Sequence, residues 1–255
     1  MPPRGAPQRA PLWRIEKLGE VGSTNDLLLE RARLGEPEGL VLWAGAQTSG
    51  RGRRGRAWHS PPGRGLYFSA LLRPALEPAR LPAVGLVAGV AMAEGLAELA
   101  GRPVGLKWPN DLRLCGKKLG GILTEFEPKG GPPPAVVVGV GINLLTAPEE
   151  FPPDLRSRAT SLKASGCPAP EPGEALHLLL RRLEFWYKEF RINGFGPAGR
   201  RWMELCDNRG KEVAVSAGEE TRRGRVLGID EAGRLLLEGA EGGTFAAEAG
   251  EVIEP

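Results

Sequence analysis

The period of the apolar positions changes repeatedly along the chain, and each change marks an element. Ile15–Leu18 reads as a short strand, and residues from about Thr24 to Leu34 as a helix. The run LVLWAGAQ from Leu40 reads as the next strand. Apolar periodicity then stops in a glycine- and arginine-rich stretch, Thr48 to Gly65, which reads as a loop with little intrinsic order. The strand LYFSALL follows, and after it a nearly continuous apolar helix over Ala79–Leu99, which must be covered on most sides. Three further strands are expected: VGLKW at 104, LGGILTEF at 119 and AVVVGV at 135. The turn-rich EPKGGPPP joins the last two as a hairpin.

The second half is read in the same way. Residues 146–174 are proline-rich and irregular, whereas Leu176, Leu179, Leu180, Leu183, Tyr187 and Phe190 recur at helical spacing, so 175–191 is an amphipathic helix. After Trp202 the composition shifts to short β-rich segments (KEVAVSA, RRGRVLGID, GRLLLEG, TFAAEA) with turns every 8–12 residues. That pattern suggests a small barrel of four or five strands. The expected organisation is one domain over 1–205, with 1–12 flexible, and a second over 206–255. The most apolar stretch, Leu81–Leu99, is broken by Pro82 and three glycines and carries Glu94 and Glu98. It suits a buried helix better than a membrane span, so no membrane partner is expected.

Composition narrows the chemistry. The 34 basic and 31 acidic residues give a net charge of +3, too small to imply nucleic acid by bulk charge. Cys115, Cys167 and Cys206 are odd in number and far apart. This argues against a disulfide scaffold or a thiolate zinc site and favours a reducing, cytoplasmic setting. His59 and His177 are too few for a histidine-based triad or a multi-histidine metal centre. The first dozen residues lack an apolar signal core. Reactivity must therefore come from Arg, Lys, Asp and Asn.

Four segments carry candidate chemistry, each with a plainer reading beside it. In GRGRRGRAW, Gly50 to Trp58, glycines let backbone amides approach an anion and arginine forks match phosphate or carboxylate oxygens; the alternative is a solvated basic loop or nucleic-acid arm. GSTND, Gly22 to Asp26, either presents Ser23, Thr24 and Asn25 to a polar ligand at a helix N-terminus or is a variant capping box. In residues 106–123, Asn110–Asp111 after Pro109 reads as a turn and Lys117 and Lys118 as hairpin residues. Yet Gly120 and Gly121 in a strand-like run mark a close approach by ligand or backbone. VVVGVGIN, 136–143, is a strand whose G-x-G can approach a nucleotide, and Asn143 can equally be a strand-end cap.

Taken in order, S-T-N, Q-T-S-G-R-G-R-R-G-R-A-W, K-W-P-N-D-L, K-L-G-G-I-L and G-V-G-I-N resemble the biotin protein ligase family, densely over residues 14–145. G-R-V-L-G-I-D-E-A-G-R-L-L-L-E-G looks like that family's small SH3-like domain. The resemblance implies an α+β fold: a mixed-sheet catalytic domain with packed helices, plus a C-terminal SH3-like β-barrel. It implies an ATP-dependent enzyme that forms biotinyl-5′-AMP and transfers biotin to a lysine of a biotin carboxyl carrier protein. By resemblance, Ser23, Thr24, Asn25 and Gln47 contact biotin, with Gly50, Arg51, Gly52, Arg53, Lys118 and Gly121. Arg51, Arg53, Arg54, Trp58, Asn110 and Asn143 contact the nucleotide. Lys118 and Arg53 are the catalytic cations, and Asp111 holds Mg²⁺. Family members often dimerise, so a homodimer is possible. With 22 residues before Ser23 there is no room for the DNA-binding domain of bifunctional members, so no specific DNA partner is expected. Two other readings differ: a lipoate ligase, whose glycine-rich motif departs from G-R-G-R-R-G-R, and a nucleic-acid-binding barrel, which needs aromatics among clustered basic residues.

Overall fold

The computed structural model describes residues 12–129, 133–217 and 220–254. Seven strands form one mixed sheet. In chain order they are β1 (Arg14–Val21), β2 (Leu40–Gln47), β3 (Gly65–Leu72), β4 (Gly105–Lys107), β5 (Asp111–Leu114), β6 (Lys117–Glu127) and β7 (Ala135–Asn143). Their spatial order is β1-β2-β3-β7-β6-β5-β4. Only β1 and β2 run parallel, and α1 (Thr24–Arg33) makes the crossover between them that a parallel pair requires.

Helices cover both faces, which is why β2, β3 and β7 read as continuous apolar runs rather than alternating ones. On one face, Leu66, Phe68, Ala70 and Leu72 of β3 and Val136, Val138, Val140 and Ile142 of β7 share a core with α2 (Ala83–Ala100). On the other face, Leu40, Leu42, Leu71, Ala135 and Val137 pack with Leu28 and Ala32 of α1. The outer side of α2 is covered in turn by α3 (Pro172–Asn193) and α4 (Gly196–Leu205). A Cβ added at Gly95 would sit 2.6 Å from Leu179 Cδ2, so this glycine sets how closely α3 can approach. By length and hydropathy α2 could cross a membrane. However, 72% of its most apolar window is buried inside the fold, as befits a core helix.

The C-terminal strands β8 (Glu212–Ala217), β9 (Glu220–Ile229), β10 (Leu235–Glu238), β11 (Thr244–Ala247) and β12 (Glu251–Ile253) form a separate antiparallel sheet, in order β11-β10-β9-β8-β12. Its core is not separate. Val213, Val215, Val226, Leu235, Leu237 and Val252 belong to the same buried cluster as α2. At the junction the Asp207 backbone N–H donates to Leu106 O at 3.0 Å, and Trp108 Nε1 donates to Gly233 O at 3.1 Å.

Several expectations need correction. The strand expected from 104 is only Gly105–Lys107, and the Asn-Asp turn after it leads into β5, where the sequence predicts no strand. The core helix starts at Ala83, behind a single 3₁₀ turn at Pro78–Arg80. Helix α4 is not predicted from the sequence, and β12 is the fifth of the expected four or five C-terminal strands, with no segment assigned to it. The expected flexibility of 1–12 falls outside the described residues, except that Leu12 packs against the core.

Candidate active site

The site lies where α1 stops covering the sheet. On that face β7 presents Ala135 and Val137 beneath the helix, then Gly139 beneath Asn25 of its first turn, and then Gly141 beyond it. A cavity of about 530 Å³ opens there. Ser23, Thr24, Asn25 and Gln47 line one part of it. Arg51, Gly52, Arg53, Arg54 and Trp58 enter from the loop, and Asn110, Asp111, Lys118, Gly121 and Asn143 from the strand ends. Of the residues that the resemblance assigns to biotin, nucleotide or Mg²⁺, Gly50 alone does not line the cavity. A Cβ there would meet Trp58 O at 2.6 Å and Ser60 Oγ at 2.7 Å, so Gly50 serves loop closure.

At the helix end the cap and the cavity wall coincide. Ser23 caps α1, its hydroxyl accepting from the Asp26 N–H at 3.4 Å, and it also lines the cavity. Thr24 donates its backbone N–H and its hydroxyl to Gln47 Oε1, at 2.9 and 3.2 Å, while Gln47 Nε2 donates to Ser60 Oγ at 3.1 Å. Asn25 is 4% exposed, and a Cβ at Gly139 would lie 2.0 Å from its Oδ1. Its Nδ2 donates to Leu123 O at 3.2 Å and to Glu125 Oε2 at 2.8 Å, and its Oδ1 accepts from Ser69 at 2.5 Å. Both amide protons are thus committed to protein acceptors. Asn25 shapes the wall more than it offers free donors.

The arginine loop is folded, contrary to the expectation of little order. Trp58 N–H donates to Gly50 O at 2.8 Å and Gly52 N–H to Arg56 O at 2.7 Å, around a 3₁₀ turn at Arg53–Gly55 in which Arg54 takes φ 56°. Mutual repulsion is offset by individual partners. Arg51 Nη2 lies 2.6 Å from both Asp26 Oδ1 and Glu125 Oε2. Arg53 Nη1 donates to Gly250 O at 3.1 Å, and Arg56 forms a two-pronged pair with Glu251 at 3.1 and 2.5 Å. Burial first, and then the neighbouring Arg54 charge, lower the Arg53 pKa, so an anion beside it meets a poorly solvated cation. Arg54 has no ion-pair partner among the described residues.

Trp58 explains Gly141 of β7 and rests against Gly121 of β6. A Cβ at Gly141 would sit 2.3 Å from Trp58 Nε1, and one at Gly121 would sit 3.6 Å from Trp58 Cζ3. The indole therefore lies on backbone. Its Nε1 is buried without a hydrogen-bond partner among the described residues, a donor suited to a ligand acceptor. Lys118 Nζ stands 5.6 Å from the indole ring centroid and 2.5 Å from Asp111 Oδ1. Asn110 and Asn143 keep their plainer roles as well, with Nδ2 donating to Ile122 O at 2.8 Å and to Thr160 O at 3.0 Å.

Three contributions escaped the sequence reading. Ser69 and Glu125 frame Asn25 from behind the cavity wall. Residues 157–159 line the site because Lys118 exchanges backbone hydrogen bonds with Arg158 O and the Thr160 N–H, both at 2.8 Å. Gly250 and Glu251 come from the C-terminal sheet. None of these lies within a local motif. Among the described residues no group of three His, Cys, Asp or Glu side chains could cage a metal ion. Asp111 alone fits only an ion that a nucleotide's phosphates and water also hold, the usual situation for Mg²⁺.

Comparison with known proteins finds relatives over most of the chain. The family model described as "Biotin/lipoate A/B protein ligase family" matches residues 19–143, and "Biotin protein ligase C terminal domain" matches 210–254. The biotin–[acetyl-CoA-carboxylase] ligase of Mycobacterium tuberculosis is 37% identical over 248 residues, spanning 94% of this chain and 89% of that protein. The bifunctional ligase/repressor BirA of Bacillus subtilis is 38% identical over 223 residues, or 87% of this chain and 68% of the relative. The structure of a biotin protein ligase from Aquifex aeolicus in complex with biotin and ATP superposes with a TM-score of 0.79 at 34% identity, covering 94% of this chain and 97% of the other.

Proposed function

Because the chain belongs to the biotin protein ligase family, we propose that it forms biotinyl-5′-AMP from biotin and ATP and transfers the biotinyl group to a carrier-protein lysine. The observation that carries this reading is one cavity that joins a polar helix end to a ring of cations. Ser23, Thr24 and Gln47 supply hydroxyl and amide groups for a neutral ring system, while Arg51, Arg53 and Lys118 stand beside them for anions. In the first step a biotin carboxylate oxygen attacks the ATP α-phosphorus and pyrophosphate leaves. Both reactants are anionic, so cations placed between them do most of the work. In the second step the acceptor lysine amine attacks the mixed-anhydride carbonyl, loses its proton, and AMP departs. Neither step needs an enzyme nucleophile, in keeping with the shortage of histidine.

Trp58, lying over the strand glycines with a free indole N–H, forms the wall where an adenine or sugar can rest. Asn110 and Asn143 border the same wall, and Arg54 supplies a further cation for the phosphates. Mg²⁺, carried in by the nucleotide and held by Asp111, would neutralise phosphate charge. The acceptor we infer is the carrier domain of acetyl-CoA carboxylase, after the name of the mycobacterial relative. The test is ATP–pyrophosphate exchange. It should require biotin and Mg²⁺, and lipoate should not substitute. Equal exchange with both acids would reassign the substrate within the same family.

A further inference from the structure

A chain of hydrogen bonds runs behind the cavity wall and ends on the arginine loop. Ser69, fully buried on β3, contacts both Thr24 Oγ1 at 2.7 Å and Asn25 Oδ1 at 2.5 Å. Asn25 Nδ2 then donates to Glu125 Oε2 at 2.8 Å, and the same oxygen receives Arg51 Nη2 at 2.6 Å. Glu125 is on β6, two residues beyond Leu123 on the same strand face, and does not line the cavity, whereas Asn25 and Arg51 both do. A single carboxylate oxygen thus links a buried amide of the substrate wall to a cation of the loop. Arg51 Nη2 donates to Glu125 Oε2 and forms an ion pair with Asp26 Oδ1 at 2.6 Å. Its Nε and Nη1 make no hydrogen bond among the described residues, and Arg51 lines the cavity.

We propose that Glu125 is a positioning residue for the ligase reaction: it holds Arg51 in register with Asn25, so that loop and substrate wall meet biotin as one preformed surface. Given the ligase reading above, removing this restraint leaves Arg51 to be ordered at the moment of binding, a cost borne by the substrates that Arg51 meets, biotin among them. Asp26 is a weaker substitute, because its side chain is 56% exposed and that of Glu125 is 24% exposed.

Glu125→Gln isolates the effect, since a carboxamide oxygen can still accept from Asn25 while the charge facing Arg51 is lost. Biotin KM in pyrophosphate exchange should rise about tenfold, the scale of one charge-assisted hydrogen bond. The melting temperature should stay close to that of the wild type. In an Arg51→Gln background the same change should alter biotin KM by less than about twofold, because the partner is already gone. In the ligand-free protein, trypsin should cut at the loop arginines about tenfold faster in Glu125→Gln than in the wild type. A biotin KM within twofold of wild type, full additivity with Arg51→Gln, or a lowered melting temperature would each overturn the proposal. If the wild type shows no biotin-dependent exchange, the ligase reading fails instead, and the trypsin comparison still decides whether Glu125 holds Arg51.

Discussion

Lys118 is the residue on which most of the proposed chemistry converges. Its ammonium is held by Asp111 at 2.5 Å and lies over the Trp58 ring, so it is placed before any substrate arrives. Lys118→Ala should keep the fold, because the side chain is 37% exposed and its backbone bonds to Arg158 and Thr160 persist. Adenylate formation should fall by about 10²–10³, the usual effect of deleting one preorganised electrostatic group. A loss below tenfold at saturating biotin and ATP, measured by pyrophosphate exchange, would return Lys118 to an ordinary hairpin lysine. Residues of this kind are legible in sequence because they sit in short motifs whose spacing is itself the signal. Ser69 and Glu125 are not. They meet Thr24 and Asn25 across separations of 45 and 100 residues, set by strand register and carried by no local pattern.

Among the elements, the β5–β6 hairpin shows both the strength and the blind spot of periodicity. Four residues of β5 after W-P-N are too few to display alternation, so the segment reads as a turn. Helix α4 was hidden for a related reason. Its opening G-P-A-G looks like loop, although proline in the first turn of a helix is a start signal. The long elements were legible because burial on both faces forces unbroken apolar runs. The hairpin turn itself, Cys115 at φ 51° and Gly116 at φ 76°, has the two left-handed residues of a type I′ turn. Asparagine is favoured at the first of these positions, whereas cysteine carries the left-handed penalty. Cys115→Asn should therefore raise the urea midpoint by an amount equivalent to about 0.5 kcal/mol at unchanged m-value, with pyrophosphate exchange unaltered. A lower midpoint would mean that the thiol is held by something beyond turn geometry.

At the scale of the whole molecule, two sheets share one core, and this bears on how the protein comes apart. The sequence shift after Trp202 marks a change of topology, with β8 starting at Glu212, but the apolar side chains of the second sheet continue the cluster around α2. Trp108 donates across the junction to Gly233, Arg113 pairs with Glu254, and the loop arginines Arg53 and Arg56 reach Gly250 and Glu251. The second sheet therefore completes the first, and a state with only one of them melted exposes core on both sides of the break. Thermal unfolding should be a single transition, with far-ultraviolet circular dichroism and tryptophan fluorescence giving coincident curves. The junction also sets how that transition responds to alkali. Burial pushes the Cys206 thiol up to about 11, whereas an unfolded thiol ionises near 8.5. The unfolded chain thus sheds its proton first, so this contribution is fully present below about pH 8.5 and is lost as pH rises toward 11. Burial raises the pKa of Tyr67 and Tyr187 in the same direction. The midpoint should fall steadily over that window, less steeply in Cys206→Ala, while the transition stays single. Two separated transitions at neutral pH would show that the C-terminal sheet is an appendage and that the shared core does not couple them.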